Sequence, residues 1–176
     1  MALRLRIAGA AVALALLAVL AGARSDAQTA TGSLKPSMTI AADCITSTST
    51  ATLSFPEYLP NQSTPLTAAP SAITITCTNT TAWSITASKG NNSTHATGTC
   101  GSATCSRAMT NGTAYIGYDL FVGACCSGTT VWNTTNTISG TGDGSAQTIS
   151  FWGEVAASQN VAAGTYTDTV VATYTY

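Results

Sequence analysis

The chain has 176 residues, of which only 6 are Lys or Arg and 7 are Asp or Glu, giving a formal charge of −1. So sparse and weakly acidic a balance argues against nucleic acid and against anionic membrane surfaces as partners. Its 45% hydrophobic content belongs partly to the N-terminus, so the remainder is less apolar than the whole suggests.

The first 27 residues read as an export signal. Arg4 and Arg6 form a basic start, and Ile7 to Leu20 is an almost unbroken apolar core. Small residues then offer cleavage after Ala23 or Ala27; Ala27 is preferred, because Ser25 and Ala27 hold the small-residue positions. The alternative is a membrane anchor, but the apolar run is shorter than the ~20 residues that cross a bilayer. The expected organisation is a signal over 1–27, an extension over 28–43 and one β-domain over 44–176.

The extension places Leu34, Pro36, Met38, Ile40 and Ala42 at every second position. Residues two apart on a strand share a face. The run is either a spare strand supplied to another copy or an ordinary first strand folded back on its own domain. Pro36 fits a strand only where its missing N–H is not needed.

Short alternating segments follow, separated by Gly, Asn, Ser and Pro clusters, the pattern of an all-β sandwich. Strands are expected near Thr50–Phe55, over Ala72–Thr78, Ala82–Ser88, Ala114–Val122 and Ser145–Val155, and from Thr165 to the end. Residues 56–70 and 89–106 read as loops, and a short Val131–Trp132 segment precedes a Gly-rich turn over Gly140–Gly144. The count is about six strands plus the extension, against seven in a complete constant-type immunoglobulin sandwich. The last run stops at Tyr176 with no closing strand after it, which leaves an open edge. Tyr166, Val170, Ala172, Tyr174 and Tyr176 are its candidate acceptor residues.

All six cysteines lie after the signal: Cys44, Cys77, Cys100, Cys105, Cys125 and Cys126. Export and an even count read as three disulfides rather than a metal site, since His95 is the only histidine and no pair has ligand-knuckle spacing. A bridge between neighbours Cys125 and Cys126 would strain the peptide joining them. Cross-links from Cys100 and Cys105 to Cys125 and Cys126 are therefore expected, with the partners open.

No hydrolytic constellation is visible, and no metal or cofactor is implied. His95 sits among polar loop residues, the carboxylates are scattered, and Asp143 between two glycines reads as a turn. Asp168 falls on the apolar parity of the last run, where it needs hydrogen-bond partners. Asn-x-Ser/Thr triplets are common in so Thr-rich a chain and carry no glycosylation argument.

The residues in order resemble the spore coat protein U domain, the pilin-subunit domain of archaic chaperone–usher pili. The resemblance is carried by Gly164-Thr165-Tyr166-Thr167-Asp168-Thr169-Val170 running to Tyr176, and by Ser145 to Gly153 followed by Gln159-Asn160. Arg107-Ala108-Met109, Tyr118-Asp119-Leu120-Phe121 and Ile75-Thr76-Cys77-Thr78 add to it. It implies an immunoglobulin-like sandwich lacking its final strand, completed by a donor strand. It implies a periplasmic chaperone, an outer-membrane usher and other copies of itself or related pilins as partners. Leu34, Pro36, Met38, Ile40 and Ala42 become the candidate donor residues, and Cys44 pairs with Cys77. Pro56 after Phe55 departs from the family, which commonly has Gly there. The expected role is a structural pilus subunit at the cell surface, supporting adhesion or biofilm formation. The rivals are a secreted coat or matrix protein and a glycan-binding tip adhesin using Trp83, Trp132 or Trp152 as stacking surfaces.

Overall fold

Strand-favouring Thr, Ile, Val and Tyr in period-2 alternation build almost everything in a computed structural model, which describes residues 28–46, 50–123 and 130–176. Ile40–Tyr176 forms a compact unit, and residues 28–39 carry neither strand nor helix. All the strands described below belong to that unit.

The larger sheet contains β1 (Cys44–Thr46), β2 (Leu66–Thr67), β3 (Ser71–Cys77), β7 (Arg107–Thr110), β8 (Tyr115–Val122) and β10 (Ala146–Val155). Its order is β1-β3-β10-β8-β7, with β2 also on β10, and every pairing is antiparallel. The smaller sheet contains β4 (Ala82–Ala87), β9 (Ile138–Thr141) and β11 (Ala172–Thr175), in the order β11-β4-β9. A hairpin joins β5 (Thr99–Cys100) to β6 (Ala103–Thr104), and Ser93–His95 forms one 3₁₀ turn.

The two main sheets share one core. Ile73, Ile75 and Cys77 from β3 and Ile116, Tyr118 and Leu120 from β8 meet Trp83, Ile85 and Ala87 from β4. This is an all-β, immunoglobulin-like sandwich. The alternation of β3, β4 and β8 is the expected one. Both faces of β8 are buried, because a second cluster of Phe121, Trp152, Ala156, Cys100 and Cys105 covers its outer side. Phe121 stacks on Trp152 at 4.5 Å between ring centroids.

Several expectations need correction. Among the described residues there are eleven short strands, of which β1, β2, β5, β6, β7 and β9 were not anticipated; β7 and β9, for example, lie in stretches that lack an apolar period. Residues 50–59 form no strand, although Leu53 and Phe55 do turn inward together. The last run is split: Thr167 bridges to Thr110 on β7, whereas only Ala172–Thr175 joins β4.

The disulfides divide in the same way. Cys44 stands directly opposite Cys77 in the β1–β3 register and is bonded to it. Cys100, however, pairs with Cys105 rather than with Cys125 or Cys126. The β5–β6 hairpin turns through Gly101, at φ +60°, and brings their Cα atoms to 5.0 Å, within ordinary bridging reach. Cys125 and Cys126 lie outside the described residues.

Candidate functional site: an open trough beside the C-terminal strand

The sandwich is not closed. Two adjoining cavities of about 670 and 700 Å³ share Leu53, Phe55, Met109, Tyr166 and Thr167, and so form one continuous trough. One wall is the segment from residue 50 to 60, and the other runs from residue 160 to Tyr174. The floor is core: Ile73, Tyr118, Leu120, Trp132 and Phe151 at one end, Ile116 and Val155 at the other. The trough thus reaches down to side chains of the core.

The C-terminal wall alternates strictly. Tyr166, Asp168, Val170, Ala172 and Tyr174 are half-buried, while the residues between them are exposed. Four of the five expected acceptor residues therefore line the trough; Tyr176 lies past β11 and is exposed. Ser88 N–H donates to the Val171 carbonyl at 2.9 Å, and Val171 N–H donates to Ser88 Oγ at 2.9 Å. In an antiparallel ladder such bonded pairs recur every second residue. Thr173 and Thr175 thus turn their N–H groups towards β4, and Ala172 and Tyr174 turn theirs to the open edge.

Asp168 has the partners its position demands. It accepts from Asn91 N–H at 3.0 Å, from Asn92 Nδ2 at 3.2 Å and from the Tyr118 hydroxyl at 2.8 Å. Burial, then the Asp168 carboxylate, pushes the Tyr118 hydroxyl well above the ordinary tyrosine range. Burial also raises Tyr174.

Arg107 supports the same wall from within the core. It is fully buried and pairs with the buried Asp119 at 2.7 Å. Its Nε and Nη2 donate to the Ser88 carbonyl at 3.0 and 2.7 Å, and Nη2 also donates to the Trp132 carbonyl at 2.6 Å. Ser106 supplies Asp119 with N–H and hydroxyl donors. Every member of this buried network is matched, as such networks require. Arg107 belonged to a motif visible in the sequence, yet nothing in its spacing revealed this bridge between β7 and the end of β4.

The opposite wall is held differently. Among the described residues, 50–58 make no backbone-to-backbone hydrogen bond. Leu53 and Phe55 pack over Gly153, where a Cβ would collide with both. Phe55 meets Tyr118 edge-on at 6.0 Å. The Tyr58 hydroxyl donates to the Ala156 carbonyl and accepts from Gln159 N–H, each at 2.9 Å.

The expected donor residues lie in the extension and at the start of the compact unit. Leu34 and Met38 are 92% and 84% exposed, and Ile40 is 71% exposed. Pro36 and Ala42 are exposed as well. The tryptophans fare otherwise. Trp83, Trp132 and Trp152 are all buried, so none presents a face for sugar stacking.

The family model for the Spore Coat Protein U domain matches residues 30–173. The chain belongs to that family. The match takes in most of the extension together with the sandwich, so the Spore Coat Protein U domain here includes the alternating Leu34–Ala42 run. No curated protein matches the chain. Among solved structures it is similar to one described as the CsuC–CsuE chaperone–tip adhesion subunit pre-assembly complex from archaic chaperone–usher Csu pili of Acinetobacter baumannii. That likeness has a TM-score of 0.54 at 19% identity, over 78% of this chain and 40% of the other. At that identity it speaks for the fold of the Spore Coat Protein U domain, and this chain spans well under half the neighbour's length.

Proposed function

We propose that the chain is a structural subunit of a surface pilus, assembled by donor-strand complementation along a chaperone–usher route. The observation that carries this is the trough, which reaches core side chains between the β11 edge and the segment 50–58, neither of which has a ladder partner on the trough side among the described residues. The occupant is residues 28–43 of a second copy or a related pilin. Leu34, Pro36, Met38, Ile40 and Ala42 point into the trough, and the main chain pairs with both walls. Before assembly a periplasmic chaperone fills the trough, and exchange takes place at an outer-membrane usher. Residues 1–27 direct export, and the fibre stands on the cell surface, where it supports adhesion or biofilm formation. The work is structural rather than catalytic. Family membership and the pilus-complex neighbour both support this reading.

An unheated denaturing gel of surface-sheared protein tests it. Strand-exchanged polymers resist dissociation kinetically. A ladder that collapses on boiling and disappears when Thr29–Ala42 is deleted is the expected result. Ile40→Asp should weaken the ladder by setting an unpaired charge in an apolar site. A single band in wild type and deletion alike, with normal export, would instead favour a secreted coat protein.

A further inference from the structure

The two walls of the trough are built by different physics. The C-terminal wall is clamped by residues 88–92. Ser88 holds Val171 through both N–H and Oγ, and Asn91 and Asn92 hold Asp168. Gly90 N–H closes back on Ser88 Oγ at 3.3 Å, and Arg107 fixes the Ser88 carbonyl from the core. Thr167 adds a reciprocal pair of backbone bonds to Thr110, at 2.9 and 3.0 Å. The wall therefore has its strand shape before any partner arrives.

The other wall has no such scaffold. Among the described residues, the backbone of 50–58 is tied by one side-chain bond, from Ser71 Oγ to the Thr52 carbonyl at 3.0 Å, and its remaining grip is the packing of Leu53, Phe55 and Tyr58 and the hydrogen bonds of the Tyr58 hydroxyl. A segment whose backbone bonds are largely unmade opens at little cost.

We propose that the trough is loaded in a fixed order, resting on the donor-strand reading: the incoming strand pairs first with the clamped C-terminal wall, and residues 50–58 then close over it as the final strand partner. An edge already held in strand geometry needs no rearrangement before pairing, so it governs the rate of capture. A wall that orders afterwards adds contacts to the finished complex and governs the rate of escape.

Hydrogen exchange and capture kinetics on the mature chain test this, with a synthetic peptide of residues 29–43 as the probe. Without peptide, the amides of Val171, Thr173 and Thr175 should be at least about tenfold more protected than those of residues 50–58. With peptide, protection should rise at 50–58 and at Ala172 and Tyr174. Ser88→Ala with Asp168→Asn should slow capture about tenfold and leave escape within about twofold, whereas Leu53→Ala with Phe55→Ala should do the reverse. Equal protection of both walls, or the opposite division of rates, overturns the loading order while capture itself upholds the donor-strand reading. A wild-type chain that captures no peptide overturns that reading, and the order falls with it.

Discussion

The Tyr118 hydroxyl donates to the Asp168 carboxylate at 2.8 Å, joining the floor of the trough to its C-terminal wall. Tyr118 belongs to the larger sheet, and Asp168 lies where the chain crosses from Thr167, paired with β7, to β11 on the smaller one. The bond thus spans the place where the two sheets would separate. Tyr118→Phe should cost about 1.5–3 kcal/mol, the range for a hydrogen bond to a charged group, as read from urea unfolding at pH 7.

The same pair sets an alkaline limit. The folded chain favours the neutral Tyr118 hydroxyl, because burial and Asp168 both raise its titration point. In the unfolded chain the hydroxyl ionises near the ordinary value of about 10. The stability it confers is full below that value and is lost as pH climbs above it towards the folded-state value. Urea midpoints should be flat from neutrality to about pH 9.5 and then fall. Tyr118→Phe should remove part of that fall, and the residue should trace to Tyr174, raised in the same direction. An identical decline in wild type and Tyr118→Phe would refute the assignment.

Arg107 and Asp119 should act as one unit. Arg107→Met leaves a buried carboxylate short of its cation and strips donors from the Ser88 and Trp132 carbonyls. A loss of about 3–5 kcal/mol is expected, as for other buried pairs cut on one side. Arg107→Lys should recover only part of it, because an ammonium cannot serve Asp119 and two carbonyls with the guanidinium's fork. In a double-mutant cycle with Asp119→Ala, read by denaturant unfolding, the double variant should lose well less than the sum of the two single losses.

How much of this was legible depends on what sets each element. β3 and β4 bury one face, and β8 and β10 set an alternating apolar row on the main core, so alternation announced all four. β7 was missed because its core position is held by an arginine, whose partner Asp119 comes from a different strand. β9 was missed because it contains Gly140, which reads as a turn. A Cβ there would strike the Trp83 ring, so glycine is a packing requirement inside the strand. At Thr50–Phe55 the pattern announced a strand that does not form, because pattern carries no information on whether a ladder partner is present. The Cys100–Cys105 pairing needed the β5–β6 hairpin, which no apolar period signals. The alternation of the last run was legible, whereas the clamp from Ser88 to Asn92 required coordinates.

The two described disulfides should differ in worth. Cys44–Cys77 and Cys100–Cys105 join residues 33 and 5 apart in sequence. Loop-closure entropy assigns them about 4 and about 2 kcal/mol. Paired Cys→Ser variants compared by thermal unfolding should keep that order. The shorter bridge also lies against the Phe121–Trp152 stack, so its loss should change near-ultraviolet tryptophan signals more than the loss of Cys44–Cys77 does.

Gly90 offers the sharpest single-site test of the clamp. It sits at φ +75°, in the left-handed region that side chains disfavour by about 1–2 kcal/mol. A Cβ there would also run into the Asp168 carboxylate. Gly90→Ala must therefore move either the 88–92 turn or Asp168, and each movement breaks bonds that hold the C-terminal wall. Gly112 also has a positive φ, at +96°, but no atom lies within reach of a Cβ there. Gly112→Ala is thus the control that carries backbone strain alone. By denaturant unfolding, Gly90→Ala should lose about 1–3 kcal/mol more than Gly112→Ala, in keeping with loss of a part-buried bond network. Its excess exchange should be confined to residues 88–92 and 168–175. Equal losses in the two variants, with protection of 168–175 intact, would mean that the Asp168 contacts do not hold the wall in place.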